Sequence, residues 1–397
     1  VTYQTRDAAI VGVGATPYYR RGESAPQTIT ELAGKAILAA CEDAGLSVKD
    51  IDGFAYYSGA ASGYAEKMDT AEFMETLGIP EVTYSAAITS GGGGSAGAIG
   101  LARSAIVAGD ANVVVTLMAL QQSKQRLGAS YGSMAPDPLS SFIQPSGLSG
   151  PGHMMSLLFR RHMHQYGTRR EALAEIAISS RTNAMNRPKA IMTKPMTLDD
   201  YFDARMIADP LCLFDFCLET DGAIAIITTS IDRARDLKQK PVPVVAAMHG
   251  GSAKWGRAFT WFGMPDEEFA SAGNKAIADH LYRRAGVAPE DIDVALLYDH
   301  FSPMVLMQLE DYGFCEKGEG GAFVESGAIR YETGSIPVNT HGGQLSEAYI
   351  IGMTHILEGV EQMRGTAVNQ VADAELALVT GGPAHLPVSG LILGRDS

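Results

Sequence analysis

The 397-residue chain carries 31 Lys and Arg against 45 Asp and Glu, a formal charge of −14, with 46% hydrophobic residues and 44 glycines. That length suits two domains of about 200 residues, and the composition is that of a packed α/β protein rather than a disordered one. The acidic balance argues against nucleic-acid binding, which demands clustered Lys and Arg, and no run approaches the ~18 apolar residues of a membrane span.

The chain enters an apolar strand pattern at Ala8 to Gly14 with no basic, cleavable leader before it, so a soluble, cytoplasmic protein is expected. Gly12-Val13-Gly14-Ala15-Thr16-Pro17 superficially looks like a dinucleotide-binding turn, but Pro17 stands at the third glycine position, so the segment reads as a strand and its turn. Next comes a helix containing Ala36-Ile37 that closes on Gly45, then a capped turn, then a strand through Ile51-Asp52-Gly53 to Tyr57. Gly91-Gly92-Gly93-Gly94-Ser95 opens a small-residue helix from Ala98 to Val107, followed by a Val-rich strand from Asn112 to Leu117.

The same order returns about 240 residues on, a spacing that marks a long internal repeat. Ala276-Ile277 leads to Ala285-Gly286 and then to Ile292-Asp293-Val294. Gly342-Gly343-Gln344 then opens an expected helix spanning Tyr349 to Leu357, and a strand follows from Leu376 to Thr380. Both copies carry Ala-Gly seven residues before Ile-Asp. The duplication predicts two related halves, residues 1–118 with 219–240 and residues 241–397, separated by an inserted loop and helical region at 119–218. Within the insertion, Pro136 to Gly152 is long and Pro/Gly-rich, as expected of a lid or substrate-binding loop. Cys41, Cys212, Cys217 and Cys315 fit no common zinc spacing, so they read as reduced thiols and no metal is expected.

Five further blocks, in order, carry a resemblance. They are Gln165-Tyr166-Gly167-Thr168-Arg169-Arg170-Glu171-Ala172-Leu173-Ala174, Ala204-Arg205-Met206-Ile207-Ala208-Asp209-Pro210-Leu211, Asp221-Gly222-Ala223, Tyr298-Asp299-His300-Phe301-Ser302-Pro303 and Asn339-Thr340-His341-Gly342-Gly343. With them the chain resembles the thiolase superfamily, in particular its sterol-carrier-type members and the lipid-transfer-protein-like aldolases of bacterial steroid degradation. The resemblance implies an α/β thiolase fold, with duplicated βαβαβαββ halves stacked as five layers, αβαβα.

The departures from that family bear directly on function. Counting back from Ala108-Gly109-Asp110, the position of the nucleophilic Cys falls on Gly92, and every candidate from Gly91 to Gly94 is glycine, so no acyl-enzyme can form there. Tyr349 stands where the family's Gly-His-Pro histidine would be, and Tyr298 matches the Asn or His of its Asn-Glu-Ala-Phe or His-Asp-x-Phe motif. Two tyrosines thus replace the paired oxyanion donors. Thr380-Gly381-Gly382-Pro383 stands for the C-terminal Cys-x-Gly loop, so the second cysteine is missing too.

Cleavage of a β-hydroxyacyl-CoA needs no acyl-enzyme. A base takes the hydroxyl proton, the Cα–Cβ bond breaks, and an enolate collects on the thioester oxygen. Tyr298 and Tyr349 suit the acid and base roles, in either order, with His385 of the C-terminal loop as a third catalytic candidate. Gly92, Gly93, Ser252, His153, His300 and His341 are candidate substrate-binding positions. Ser252 opens a Ser-Ala-Lys-Trp-Gly run in the region where thiolases hold pantetheine.

The reading is therefore retro-aldol cleavage of a steroid side-chain acyl-CoA, with the thioester as substrate and no cofactor. The resemblance further implies a homodimer associated with a small OB-fold, zinc-ribbon protein, which would hold any zinc. Two alternatives stand beside this reading. One is a non-catalytic acyl-CoA or lipid-binding subunit. The other is a serine hydrolase using Ser95, because Gly93-Gly94-Ser95-Ala96-Gly97 matches a Gly-x-Ser-x-Gly elbow.

Overall fold

The computed structural model describes residues 8–57, 69–88, 91–122, 141, 144–148, 150–252, 269–384 and 387–396. The first half runs through β1 (Ala8–Ala15), α1 (Ile29–Ala44), β2 (Gly53–Tyr57), α2 (Thr70–Leu77), β3 (Tyr84–Ile88), α3 (Gly94–Ala108) and β4 (Val113–Leu120). Helices α4 (Pro151–Tyr166) and α5 (Arg170–Met185) follow, and the chain then re-enters the sheet as β5 (Thr220–Ser230). The second half contains β6 (Val242–Gly250), α6 (Lys275–Ala285), β7 (Val294–Leu296), α7 (Ser302–Asp311), α8 (Gly343–Ser346), α9 (Met353–Arg364), β8 (Leu376–Gly381) and β9 (Val388–Gly394).

Among the described residues these strands form one mixed sheet in the order β7-β8-β9-β6-β1-β5-β4-β2-β3, with the short Tyr19–Arg20 strand added beside β5. The two halves meet at β6 and β1, which share only the antiparallel pairs Ala9↔Pro243 and Ile10↔Val242. That narrow seam lets the two half-sheets face each other across a central helical layer. Ala96, Ala98 and Ile99 of α3 pack in one core with Met353, Ile356, Leu357 and Val360 of α9, against strands of both halves. α1 covers the outer face of β1, β4 and β5, and α6 and α7 cover the outer face of the second half. The result is a five-layer αβαβα thiolase fold.

The repeat has a physical reason in each copy. Gly45 at φ 72 and Gly286 at φ 74 end α1 and α6 in the left-handed conformation that glycine adopts most readily. Asp52 then accepts the amide N–H groups of Asn112 and Val113, and Asp293 accepts those of Glu375 and Leu376. Each aspartate so holds the start of the neighbouring parallel strand in register. Gly12 and Gly14 are also accounted for, because a Cβ at either would lie within 2.3 Å of an α1 carbonyl oxygen, so α1 packs directly on the β1 backbone.

One expected element is corrected. Tyr349 does not open a helix, since α8 ends at Ser346 and α9 begins only at Met353. Ile351 at φ 44 and Gly352 at φ 86 take left-handed conformations that a continuous helix cannot include. Tyr349 therefore sits in a short irregular stretch between two helices.

Candidate active site

In the Gly-rich turn, a 3-10 turn at Gly91–Gly93 leads into α3. The space beside Gly92 is not open. A Cβ at Gly92 would lie 2.4 Å from both Cζ and the hydroxyl of Tyr298. The phenol ring thus occupies the place of the missing side chain, and Gly352 flanks the same ring, where a Cβ would come within 2.9 Å of it. Tyr298 is 2% exposed.

Side chains from two elements, β8 and α7, hold the backbone of Tyr298. Its N–H donates to Thr380 Oγ1 at 2.9 Å, and its carbonyl accepts from Gln308 Nε2 at 2.9 Å. Thr380 Oγ1 in turn donates to Gln308 Oε1 at 2.6 Å, closing the ring of contacts. Asn339 grips the preceding residue, accepting from Leu297 N–H at 2.8 Å and donating to its carbonyl at 2.9 Å. Asn339 can do this because its own φ is 47, a left-handed value that Asn tolerates better than most residues. Buried polar partners that satisfy one another in this way hold a side chain in one geometry.

Tyr349 is anchored through its backbone as well. Thr220 Oγ1 accepts its N–H and donates to its carbonyl, both at 2.9 Å. Tyr349 is 8% exposed and lies in the same core cluster as Tyr298. Gly352, three residues after Tyr349, packs against the Tyr298 ring, so the irregular stretch that carries Tyr349 reaches the turn that opens α3.

His300 joins this group, its ring centroid 5.2 Å from that of Tyr298 and 4.8 Å from Phe301. The end of the insertion braces it, because Cys217 N–H donates to the His300 carbonyl and Phe216 pairs with Phe301. Gly93 also sits at the site, where the C-terminal loop approaches so closely that a Cβ on Gly382 would lie 2.3 Å from Gly93 N. His153 is half-buried in the first turn of α4, near Gly152, whose missing Cβ makes room for the Phe216 ring. Ser252 is half-buried just past β6, and the rest of its run, residues 253–256, lies outside the described residues. His385 lies outside them too, as do residues 136–140, 142–143 and 149 of the Pro136 to Gly152 stretch.

His341 is placed differently from the other candidates. It is fully buried, with no hydrogen-bond partner on either ring nitrogen among the described residues, and it packs edge-on against His355 at 4.8 Å. Burial first, then the neighbouring His355 and Arg187, hold it well below the ordinary histidine value, so it is a neutral ring. Ser95 is buried and its hydroxyl donates to the Gly92 carbonyl one turn back, a helix-internal bond rather than the exposed pose of a hydrolase nucleophile. Burial also pushes the thiols of Cys41 and Cys315 up, to about 11 and about 12, away from the thiolate form.

Gln308, Thr380 and His355 carry supporting contacts that sequence reasoning did not single out. The available signal was polar residues inside otherwise apolar elements, since Gln308 lies in a wholly buried helix and Thr380 in a wholly buried strand. A cavity of about 10 Å³ beside Asp299, lined in part by Ser179, Ser180 and Asn339, has room for about one water and none for an acyl-CoA.

Comparison with known proteins agrees with this geometry. The N-terminal thiolase domain model matches residues 8–211, and the thiolase C-terminal domain-like model matches residues 262–394. A 17-hydroxy-3-oxo-4-pregnene-20-carboxyl-CoA lyase of Mycobacterium tuberculosis is 41% identical over 98% of this chain and 99% of its own length. A steroid side-chain-cleaving aldolase of Thermomonospora curvata is 36% identical over 98% of each chain. The solved Ltp2-ChsH2(DUF35) aldolase superposes with a TM-score of 0.90 at 36% identity, covering 98% of both chains. The chain belongs to the thiolase family.

Proposed function

We propose that the chain is an aldolase that cleaves the Cα–Cβ bond of a β-hydroxyacyl-CoA on a steroid side chain. A 17-hydroxy steroid bearing the acyl-CoA gives a 17-ketosteroid and propionyl-CoA. The observation that carries this reading is the Tyr298 phenol filling the space that a side chain at Gly92 would need. Covalent acyl transfer has neither a thiol nor room for one, whereas a retro-aldol step uses a hydroxyl group of that kind. The steroid side-chain lyase and aldolase named above point to the same chemistry and to the substrate class.

One tyrosine, as its phenolate, accepts the proton of the β-hydroxyl as that oxygen becomes a ketone. The electron pair of the Cα–Cβ bond moves into the thioester as an enolate, which the other phenol stabilises by donating to its oxygen and by supplying the proton to Cα. The step is redox-neutral and balances without a co-reactant. Tyr298 and Tyr349 divide these roles, with His385 a third participant and Gly92, Gly93, His153, Ser252 and His300 bordering the substrate. We divide the chain into residues 1–118 with 219–240, an insertion at 119–218 that covers the site, and residues 241–397. The working assembly is a cytoplasmic homodimer with a small OB-fold, zinc-ribbon protein. The DUF35 component of the matched aldolase structure supports a partner of this kind. Among the described residues no helix is long and apolar enough to cross a membrane.

The test is turnover of the steroid acyl-CoA, with and without a DUF35-type partner, by wild type and by Tyr298→Phe and Tyr349→Phe. Each variant loses one hydroxyl at nearly constant shape and is expected to lower kcat about 10²–10⁴-fold. Undiminished turnover in both variants sinks the tyrosine mechanism, and no turnover by the wild-type complex leaves the acyl-CoA-binding alternative.

A further inference from the structure

His355 is fully buried one turn into α9, and its Nε2 faces two acceptors, the carbonyl of Leu297 at 3.0 Å and Oδ1 of Asp299 at 3.1 Å. Both partners only accept, so Nε2 carries the proton. These acceptors bracket Tyr298 in sequence, one on each side. Asp299 is also fully buried, and its carboxylate accepts the N–H groups of Gln344 at 2.9 Å and Leu345 at 3.3 Å, at the start of α8. That close seat requires glycine at 343, where a Cβ would lie 1.9 Å from Asp299 Oδ2. Gln344 then reaches forward, its side-chain oxygen accepting Gly352 N–H at 2.8 Å.

These contacts tie the segment carrying Tyr298 to the residues on both sides of Tyr349. We infer that His355 and Asp299 form a latch that sets the spacing of the two phenols, and that His355 is a positioning residue for carbon–carbon cleavage. The neutral His341 ring, edge-on to His355, and the Tyr298 ring, stacked 6.2 Å away at 19°, hold the imidazole in place. A misplacement of about 1 Å between reacting groups can cost ~10²-fold in rate, so a latch of this kind acts on kcat rather than on substrate capture.

This inference rests on the two-tyrosine reading, and the experiment separates the two. Steady-state kinetics of the full chain, in its partner complex where that is needed for turnover, are compared for wild type, His355→Phe, His355→Gln and Asp299→Asn, with melting temperatures taken in parallel. The expected result is a 10- to 100-fold fall in kcat for His355→Phe with KM within about threefold. His355→Gln, whose amide can donate one hydrogen bond, recovers part of the loss, and Asp299→Asn falls on the same side as His355→Phe. Folded His355→Phe with wild-type kcat overturns the latch. So does a loss that follows melting temperature, moves KM equally and shows no rescue by Gln. With Tyr298→Phe and Tyr349→Phe measured alongside, impaired phenol variants beside a neutral His355→Phe overturn the latch alone, whereas neutral phenol variants overturn the mechanism beneath it.

Discussion

A side-chain carbon at position 92 and the phenol of Tyr298 would claim the same volume, because they would stand 2.4 Å apart, closer than any real non-bonded contact. The two residues are therefore coupled, and the glycine is a requirement of the tyrosine rather than a simple loss. Gly92→Ala is expected to push the ring aside and lower kcat about 10²-fold with little change in melting temperature, read from turnover of the steroid acyl-CoA. Gly92→Cys is expected to be no better. A thiol there needs the volume that the phenol fills, so assays of acetyl transfer between CoA thioesters should stay at background.

At the scale of elements, the duplicated Ile-Asp sites are both structural, but they serve different halves. Asp52 accepts Asn112 and Val113 backbone N–H and the Asn112 side chain, fixing β4 beside β2. Asp293 does the same for β8 beside β7, the strand that delivers Tyr298. Replacing either with Ala leaves strand-end amides without their acceptor and is expected to cost about 1–3 kcal/mol in urea unfolding. Only Asp293→Ala should also lower kcat of the folded protein, since Asp52 lies in the half that carries neither Tyr298 nor Tyr349. Equal effects of the two variants on kcat would contradict the idea that the second copy alone registers the site.

Across the whole molecule, one buried cation ties the insertion to the second half. Arg187, just past α5, contacts Glu347, Glu358 and Glu361, each at 2.9 Å. Three carboxylates share one guanidinium in a water-poor site, and burial pushes Glu347 up to about 8 against the pull of Arg187, with Glu358 adding to the rise. A carboxyl whose folded value is raised contributes stability that is fully present below its unfolded value, near 4.5, and is lost as pH rises through about 8. Urea unfolding at pH 5, 6.5 and 8 should therefore show Glu347→Gln gaining on wild type as pH rises, by on the order of a few kcal/mol across the window. Arg187→Met leaves the carboxylates without their cation and is expected to cost about 3–5 kcal/mol at neutral pH. A parallel pH dependence in wild type and Glu347→Gln would show that Glu347 is ionised throughout.

Much of this protein was legible in one dimension. The repeat spacing, the glycines that end α1 and α6, the glycine at 92 and the two tyrosines are properties of residue identity and order, and local rules of capping and turn formation act on them directly. The tertiary structure decided what those features mean together. Spacing along the chain cannot show that Tyr298 fills the Gly92 site, that His341 lies buried against His355, or that Tyr349 belongs to an irregular stretch instead of a helix. Each of these depends on contacts between residues tens to hundreds of positions apart, where excluded volume and buried hydrogen bonds choose among conformations that the local sequence leaves open. Sequence alone thus showed glycine at 92 and tyrosine at 298 and 349, and only packing revealed that the Tyr298 phenol fills the space a side chain at 92 would need.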